Sequence, residues 1–296
     1  MNERRTETLV VTLVTFTNLF IAFFISGVVI WALGEDPWFA LKTLLYGAFG
    51  YDEALGYTLY YTTNFIFTGL AFAIGFHCGL FNIGAEGQAY IGGLAVGLIC
   101  LWLENWPLWL VFPLAVSASI IFGGIWGAIP GYLKGKRGSH EVVTTIMFNF
   151  IASVIMVDLL SHVLRPDGQM SPESRDFAER VWVPQMHEIF EWFGIQITQT
   201  PLNGTFFFAL LCLILVWRFI WYTRWGYEIR TVGTNDTAAV YAGISVSRNI
   251  ILAMALCGGL AGFVGINEIM GSSHRIMLNF QAGIGFTGIA VSLIGR

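Results

Sequence analysis

Long apolar runs constrain this chain more than any other feature. Residues 9–33, 57–77 and 107–133 contain no Asp, Glu, Lys or Arg. Each reaches the roughly 20 residues that a helix needs to cross a bilayer. Four more runs, at 81–103, 142–164, 204–222 and 250–270, carry at most one such charge each, and an apolar stretch at 280–296 closes the chain. With 56% hydrophobic and 11% charged residues, the chain has less than half the charge of an ordinary soluble domain, about 25%. The expected fold is all-α, a polytopic transmembrane bundle forming one domain over residues 1–296, with the last span partial.

Charge sets the expected orientation. Arg4 and Arg5 precede the first run, which is longer than a signal-peptide core of roughly 7–15 residues and so reads as an uncleaved span. Placing the N-terminus in the cytoplasm puts Arg4, Arg5, Lys134, Lys136, Arg137, Arg218, Arg224, Arg230 and Arg248 inside, nine of the fifteen Lys and Arg, as the positive-inside tendency requires. Residues 165–201 then form a long outer loop, and 35–51 an interfacial amphipathic helix around Trp38. Cys78, Cys100, Cys212 and Cys257 lie in or beside apolar runs without paired metal spacing, as buried small hydrophobes do.

One polar island interrupts the later runs, RWGYEIRTVGTNDTAAVYAGISVSR at 224–248. Asn235 and Asp236 can cap a short helix over 237–242, and Gly243 is placed to stop it. Ala238, Ala239 and Ala242 leave that helix almost bare, so a partner surface can approach its backbone. An ordinary solvated loop is the competing explanation.

The spacing of Gly226, Arg230, Val232, Gly233, Asn235, Ala238, Ala239, Tyr241, Ala242, Gly243 and Ile244 resembles the coupling loop of permease subunits in bacterial ABC importers. The similarity is to the simple-sugar and nucleoside branch, related to ribose and branched-chain amino acid permeases. The strings FNIGAEGQ at 81–88, EVVTTIM at 141–147 and GIGFTGIAV at 283–291 extend it over most of the chain. The resemblance implies a multi-pass protein of the bacterial inner membrane that forms the path for a nucleoside or simple sugar. It implies a separate ATP-binding cassette subunit, a second permease subunit (identical or different) and an extracytoplasmic solute-binding protein, with the bilayer as solvent and no nucleic acid. ATP is then used by the partner, and this chain binds no cofactor. The coupling residues would be Arg230, Gly233, Asn235, Asp236, Ala238, Ala239, Tyr241 and Gly243.

Element order hints at an inverted repeat. A span, an amphipathic link, a second span and Phe81-x-x-Gly84 are matched later by a span, the polar island, a span and Phe280-x-x-Gly283. Transporters commonly place the substrate path at such a junction. The first series continues with three further spans and the second stops at Arg296, so a C-terminally incomplete chain is expected.

The candidate path residues are Phe81, Asn82, Gly84, Glu86, Gln88, Gly283, Phe286 and Thr287. Gly84 loosens the backbone, and a carboxylate at membrane depth costs roughly 2.5–3.5 kcal/mol, so Glu86 should face a cavity or a partner. Its alternative role is to cap the third span at the interface. For Glu141, Thr144, Thr145 and Asn149, interhelical hydrogen bonding competes with substrate contact. The stripe Gly258, Gly259, Gly262 and Gly265 suits close helix packing. Asp158, His162, Glu268 and His274 fall near outer ends and carry no clear signal. No phosphate-binding loop, zinc helix or nucleophile elbow is present, so the chain is not expected to be an enzyme. An ion-coupled secondary transporter of a small polar solute is the alternative, with Glu86 its one good coupling group.

Overall fold

The computed structural model describes residues 2–295; the side chains of residues 2–9, 11 and 12, including the expected inner cations Arg4 and Arg5, lie outside the described residues. Among the described residues the chain is helical, with a 3-10 turn at Glu179–Val181, a π-helical segment at Ile266–Ser273 and no strand. Contacts divide it into two units, Met1–Thr58 and Leu59–Arg296.

The first unit holds α1 (Asn2–Ala32) and α2 (Pro37–Phe49), and α3 (Asp52–His77) begins in it. A left-handed Gly34 (φ 88°) turns the chain between the first two helices. Asp36 Oδ1 accepts from Trp38 N at 2.9 Å, and Pro37 occupies the first helical position, where its missing N–H costs nothing.

In the second unit α3 is followed by α4 (Ala85–Trp102), α5 (Leu108–Arg137), α6 (Glu141–His162), the short α7 (Met186–Glu191) and α8 (Thr205–Tyr222). Two short helices, α9 (Arg224–Thr234) and α10 (Asp236–Tyr241), precede α11 (Val246–Gly262), the π segment and α12 (Ile284–Ile294). Among the described residues seven helices are long and apolar enough to cross a membrane, the last running from Val246 through the π segment to Ser273. The third apolar run turns helical only at Ala85, because residues 81–84 are spent on an irregular turn. The run at 107–133 continues as helix through the cationic stretch to Arg137, where left-handed Gly138 ends it.

Small residues hold the centre. Gly123, Gly127 and Gly131 of α5 recur every fourth position and face α11. A Cβ at Gly258 would lie 2.7 Å from the Gly123 carbonyl carbon, and one at Gly131 3.2 Å from Ile251 Cα. Further along, a Cβ at Gly262 would stand 3.0 Å from Gly92 Cα, and one at Gly265 would overlap the backbone of Gly93. Backbones that approach this closely gain dispersion contact over several turns, which is how helices associate where lipid removes the hydrophobic drive. The glycine stripe of α11 is therefore packing surface, and the four cysteines are buried free thiols.

The segment between α6 and α8 closes over the end of the π helix. Phe177 N donates to His274 O (2.8 Å), Val183 N to Met270 O (3.1 Å) and Ile276 N to Ser174 Oγ (2.9 Å). The rings of Trp182 and His274 stack at 3.8 Å. Burial holds the His274 imidazole below the usual histidine range. Arg275 pairs with Glu173 and Asp176, both at 3.2 Å.

Candidate functional site

Local chemistry explains why the chain breaks between α3 and α4. Left-handed Gly79 (φ 73°) reverses it, and Asn82 then organises the turn. Asn82 Oδ1 accepts from Gly84 N (2.9 Å), while its Nδ2 donates to Gln88 Oε1 (3.0 Å). Asn149 of α6 clamps the turn from outside: its Oδ1 accepts from Gly87 N (2.9 Å) and its Nδ2 donates to Ile83 O (3.0 Å). A Cβ at Gly84 would stand 3.0 Å from Thr145 Cβ, so a side chain there would press on α6.

Asn82 and Gln88 are 0% and 1% exposed and face each other. In this conformation they build the turn, and a solute would reach their amides only if the pair opened. Phe81 is the exposed member of the string, its ring edge-on to Phe72 at 5.1 Å.

Glu86 points away from its own helix. Its Oε1 accepts from Gly283 N and its Oε2 from Gly285 N, both at 2.8 Å. The carboxylate thus caps the first turn of α12, satisfying two donors that the helix cannot pair itself and meeting the positive end of its dipole. The expected capping role is present, but on the last helix rather than the third span. This joins Glu86 and Gly283, two candidate path residues 197 positions apart. Left-handed Gly283 (φ 82°) makes the entry possible, and Asn279 and Ala282 also take positive φ. The approach is fixed by Tyr90, whose hydroxyl accepts from Asn279 N (2.7 Å). Phe286 and Thr287 are exposed on the first turns of α12.

The polar island folds as two short helices. Thr223 Oγ1 accepts from Gly226 N (3.0 Å) to open α9, and Asn235 Oδ1 accepts from Ala238 N (3.0 Å) to open α10. Asp236 sits in the first turn. Left-handed Gly243 closes α10, with Gly243 N donating to Val240 O and Ile244 N to Ala239 O. The bare alanine face is only partly free: Ala238 and Ala242 are exposed, but Ala239 is 0% exposed and seats α10 on the rest of the chain. The prominent side chains are Val240 and Tyr241, 63% and 90% exposed. Arg230 is likewise turned inward, its guanidinium 4.5 Å from the centre of the Trp221 ring.

Gly233 supplies the link between the two regions. A Cβ there would overlap the His77 carbonyl oxygen and stand 2.8 Å from Cys78 C and Gly79 N. The end of α9 therefore rests backbone to backbone on the turn that leads into the broken segment. A second tether joins α9 to α11, where Asn249 Nδ2 donates to Glu228 Oε2 at 3.3 Å; within α9, Arg224 Nε donates to Glu228 Oε1 at 3.0 Å. The Asn249 amide and the Arg224 guanidinium hold the Glu228 carboxyl below its usual range.

A second buried polar chain lies at the π segment. Asn203 Nδ2 donates to Asn267 Oδ1 (3.0 Å), Asn267 Nδ2 to Asn64 Oδ1 (3.0 Å) and Asn64 Nδ2 to Glu268 Oε1 (2.6 Å). The three asparagines are 0% exposed. π turns inside helices recur at functional sites, and here the widened turn aims adjacent residues, Asn267 and Glu268, at α3. In the sequence Glu268 carries no clear signal, yet the structure gives it a buried partner. A carboxylate beside an asparagine within an apolar run was the available signal; its partners are more than 200 positions away.

A family model described as branched-chain amino acid transport system / permease component matches residues 54–296. The guanosine ABC transporter permease protein NupP of Bacillus subtilis is 35% identical over 250 residues, covering 84% of this chain and 69% of its own length. The nucleoside ABC transporter permease protein NupB of Lactococcus lactis is 31% identical over 284 residues, covering 96% of this chain and 78% of its own. The glucose ABC transporter permease protein TsgB13 of Haloferax volcanii is 29% identical over 272 residues, covering 92% and 71%. No solved structure matches the chain.

Proposed function

The chain belongs to the family described as branched-chain amino acid transport system / permease component, and from that premise we propose that it is the path-forming subunit of an ATP-driven nucleoside importer. The family and the nucleoside permeases among its relatives favour ATP-driven import over an ion-coupled carrier. Nucleosides are preferred to glucose as substrate because the nucleoside permeases share more identity with this chain.

The observation that carries the mechanism is the contact between Gly233 and the turn at His77–Gly79. In this reading α10 lies on the cytoplasmic side and docks on an ATP-binding subunit through Tyr241 and Val240. Ala239 and the Asn235 cap hold α10 rigid enough to transmit force. Closure of the ATP-binding pair pushes α9, and Gly233 passes the displacement to the segment 78–88. Glu86 carries it to α12, so the faces bearing Phe81, Phe286 and Thr287 move together and the path alternates between its two openings. Substrate comes from an extracytoplasmic binding protein and crosses unchanged, and a second permease subunit completes the path.

Reconstitution with the ATP-binding subunit and the binding protein tests this. Saturable guanosine uptake that requires ATP is expected; uptake that ignores ATP and collapses with an ion gradient would contradict it. Within that system Tyr241→Ala should weaken capture of the ATP-binding subunit by about tenfold or more, as loss of a central aromatic anchor does, with membrane insertion unchanged. Pull-down from detergent reads the effect, and undiminished capture would remove Tyr241 from the docking surface.

A further inference from the structure

A cavity of about 620 Å³ opens where α3, α8 and α12 end, closed on the remaining side by α9. Its lining is divided. Ala73, Phe76 and the Trp221 ring are apolar, whereas Arg230, His77 and Ser292 are polar. Arg230 stands over Trp221 at 4.5 Å, and the His77 ring meets the other ring edge-on at 5.8 Å. The guanidinium is anchored by the ring, and one of its nitrogens is left unpaired. Its Nε is buried without a hydrogen-bond partner, and among the described residues no carboxylate lies within ion-pair distance of it.

A buried N–H without an acceptor is costly, and the planar guanidinium fork matches the oxygens of a phosphate. The site also lies where two candidate membrane spans finish, at His77 and Tyr222. Lipid phosphates reside at that depth, and a basic pocket between spans is a natural headgroup site. We propose that this cavity binds a phosphate group, supplied by an anionic glycerophospholipid whose acyl chain leaves along Ala73 and Phe76. Because Arg230 belongs to α9, an occupied site braces the helix that carries Gly233 against α3 and α12. Lipid would then set how firmly the polar island is coupled to the membrane helices.

The binding test does not depend on transport, so it can fail while the importer assignment stands. The full permease complex in detergent is titrated with phosphatidylglycerol, phosphatidylcholine and inorganic phosphate, and retained adducts are counted by native mass spectrometry. Phosphatidylglycerol should be retained over phosphatidylcholine, and Arg230→Gln should cut retention about tenfold or more, the loss of a charge-assisted hydrogen bond. Ala73→Phe, which fills the apolar end and leaves Arg230 intact, should reduce lipid retention as well, guarding against misfolding of the first variant. Arg230-dependent binding of inorganic phosphate with no lipid retained supports the phosphate site and assigns it to a free anion. Equal retention of phosphatidylglycerol by the parent and both variants, or no binding of either probe, overturns the proposal.

Discussion

Leucine at Gly258 is expected to abolish accumulation of folded protein. The new Cβ would fall on the Gly123 carbonyl, and the remaining side chain would have to enter the seam between α11 and α5. Overpacking a soluble core costs about 1–3 kcal/mol because side chains can shift. Here the obstacle is backbone, so α11 must move as a whole, and the tight contacts at Gly262 and Gly265 are lost with it. An interhelical hydrogen bond within a membrane contributes only about 0.6 kcal/mol on average, so the asparagine chain at Asn64 and Asn267 cannot offset the damage. Gly47→Leu, on a glycine with open space around it, is the matching control. Detergent-solubilised yield and thermal unfolding read both; a Gly258→Leu protein melting within a few degrees of the parent would refute the packing argument.

Glu86→Ala should remove transport while the other helices stay in place. The substitution strips the acceptor from Gly283 N and Gly285 N at the start of α12. Orphaning a fully buried donor costs about 1–3 kcal/mol; even part of that for these two part-buried donors loosens an entry that already holds Asn279, Ala282 and Gly283 at positive φ. Glu86→Gln keeps one acceptor oxygen and should retain partial uptake, so charge and capping separate in the pair. Uptake by reconstituted complexes, scored beside ATP-binding subunit capture, makes the comparison. Full uptake with alanine at 86 would mean that the Glu86–α12 link does not serve the path.

Periodicity and composition made the helical architecture readable, because a run of about 20 apolar residues has few alternatives in a bilayer. Caps were readable too: Asn235 and Gly243 act through neighbours three or four positions away, within reach of a local pattern. Long-range pairing was not. Glu86 could be recognised as needing a partner, but the partner is a pair of backbone N–H groups near residue 284, which no side-chain pattern announces. Ala239 shows a different limit. In a helix as short as α10 an alanine can face partner or core, and only the packing of α10 beneath α9 and α11 decides. Arg230 has the cationic character of an exposed loop yet lies over Trp221, since a guanidinium can bury its face on an aromatic ring while keeping its edges polar.

The central claim is that force travels from the polar island to the path through Gly233. Valine at 233 would drive its side chain into the backbone of His77, Cys78 and Gly79, parting the two segments while leaving Tyr241 and the α10 surface untouched. The most direct measurement is guanosine transported per ATP hydrolysed in the reconstituted complex, parent against Gly233→Val. The account predicts normal capture of the ATP-binding subunit, continued hydrolysis and uptake reduced to background. Unchanged guanosine per ATP in the valine variant would contradict it, because coupling would then bypass the contact on which the mechanism rests.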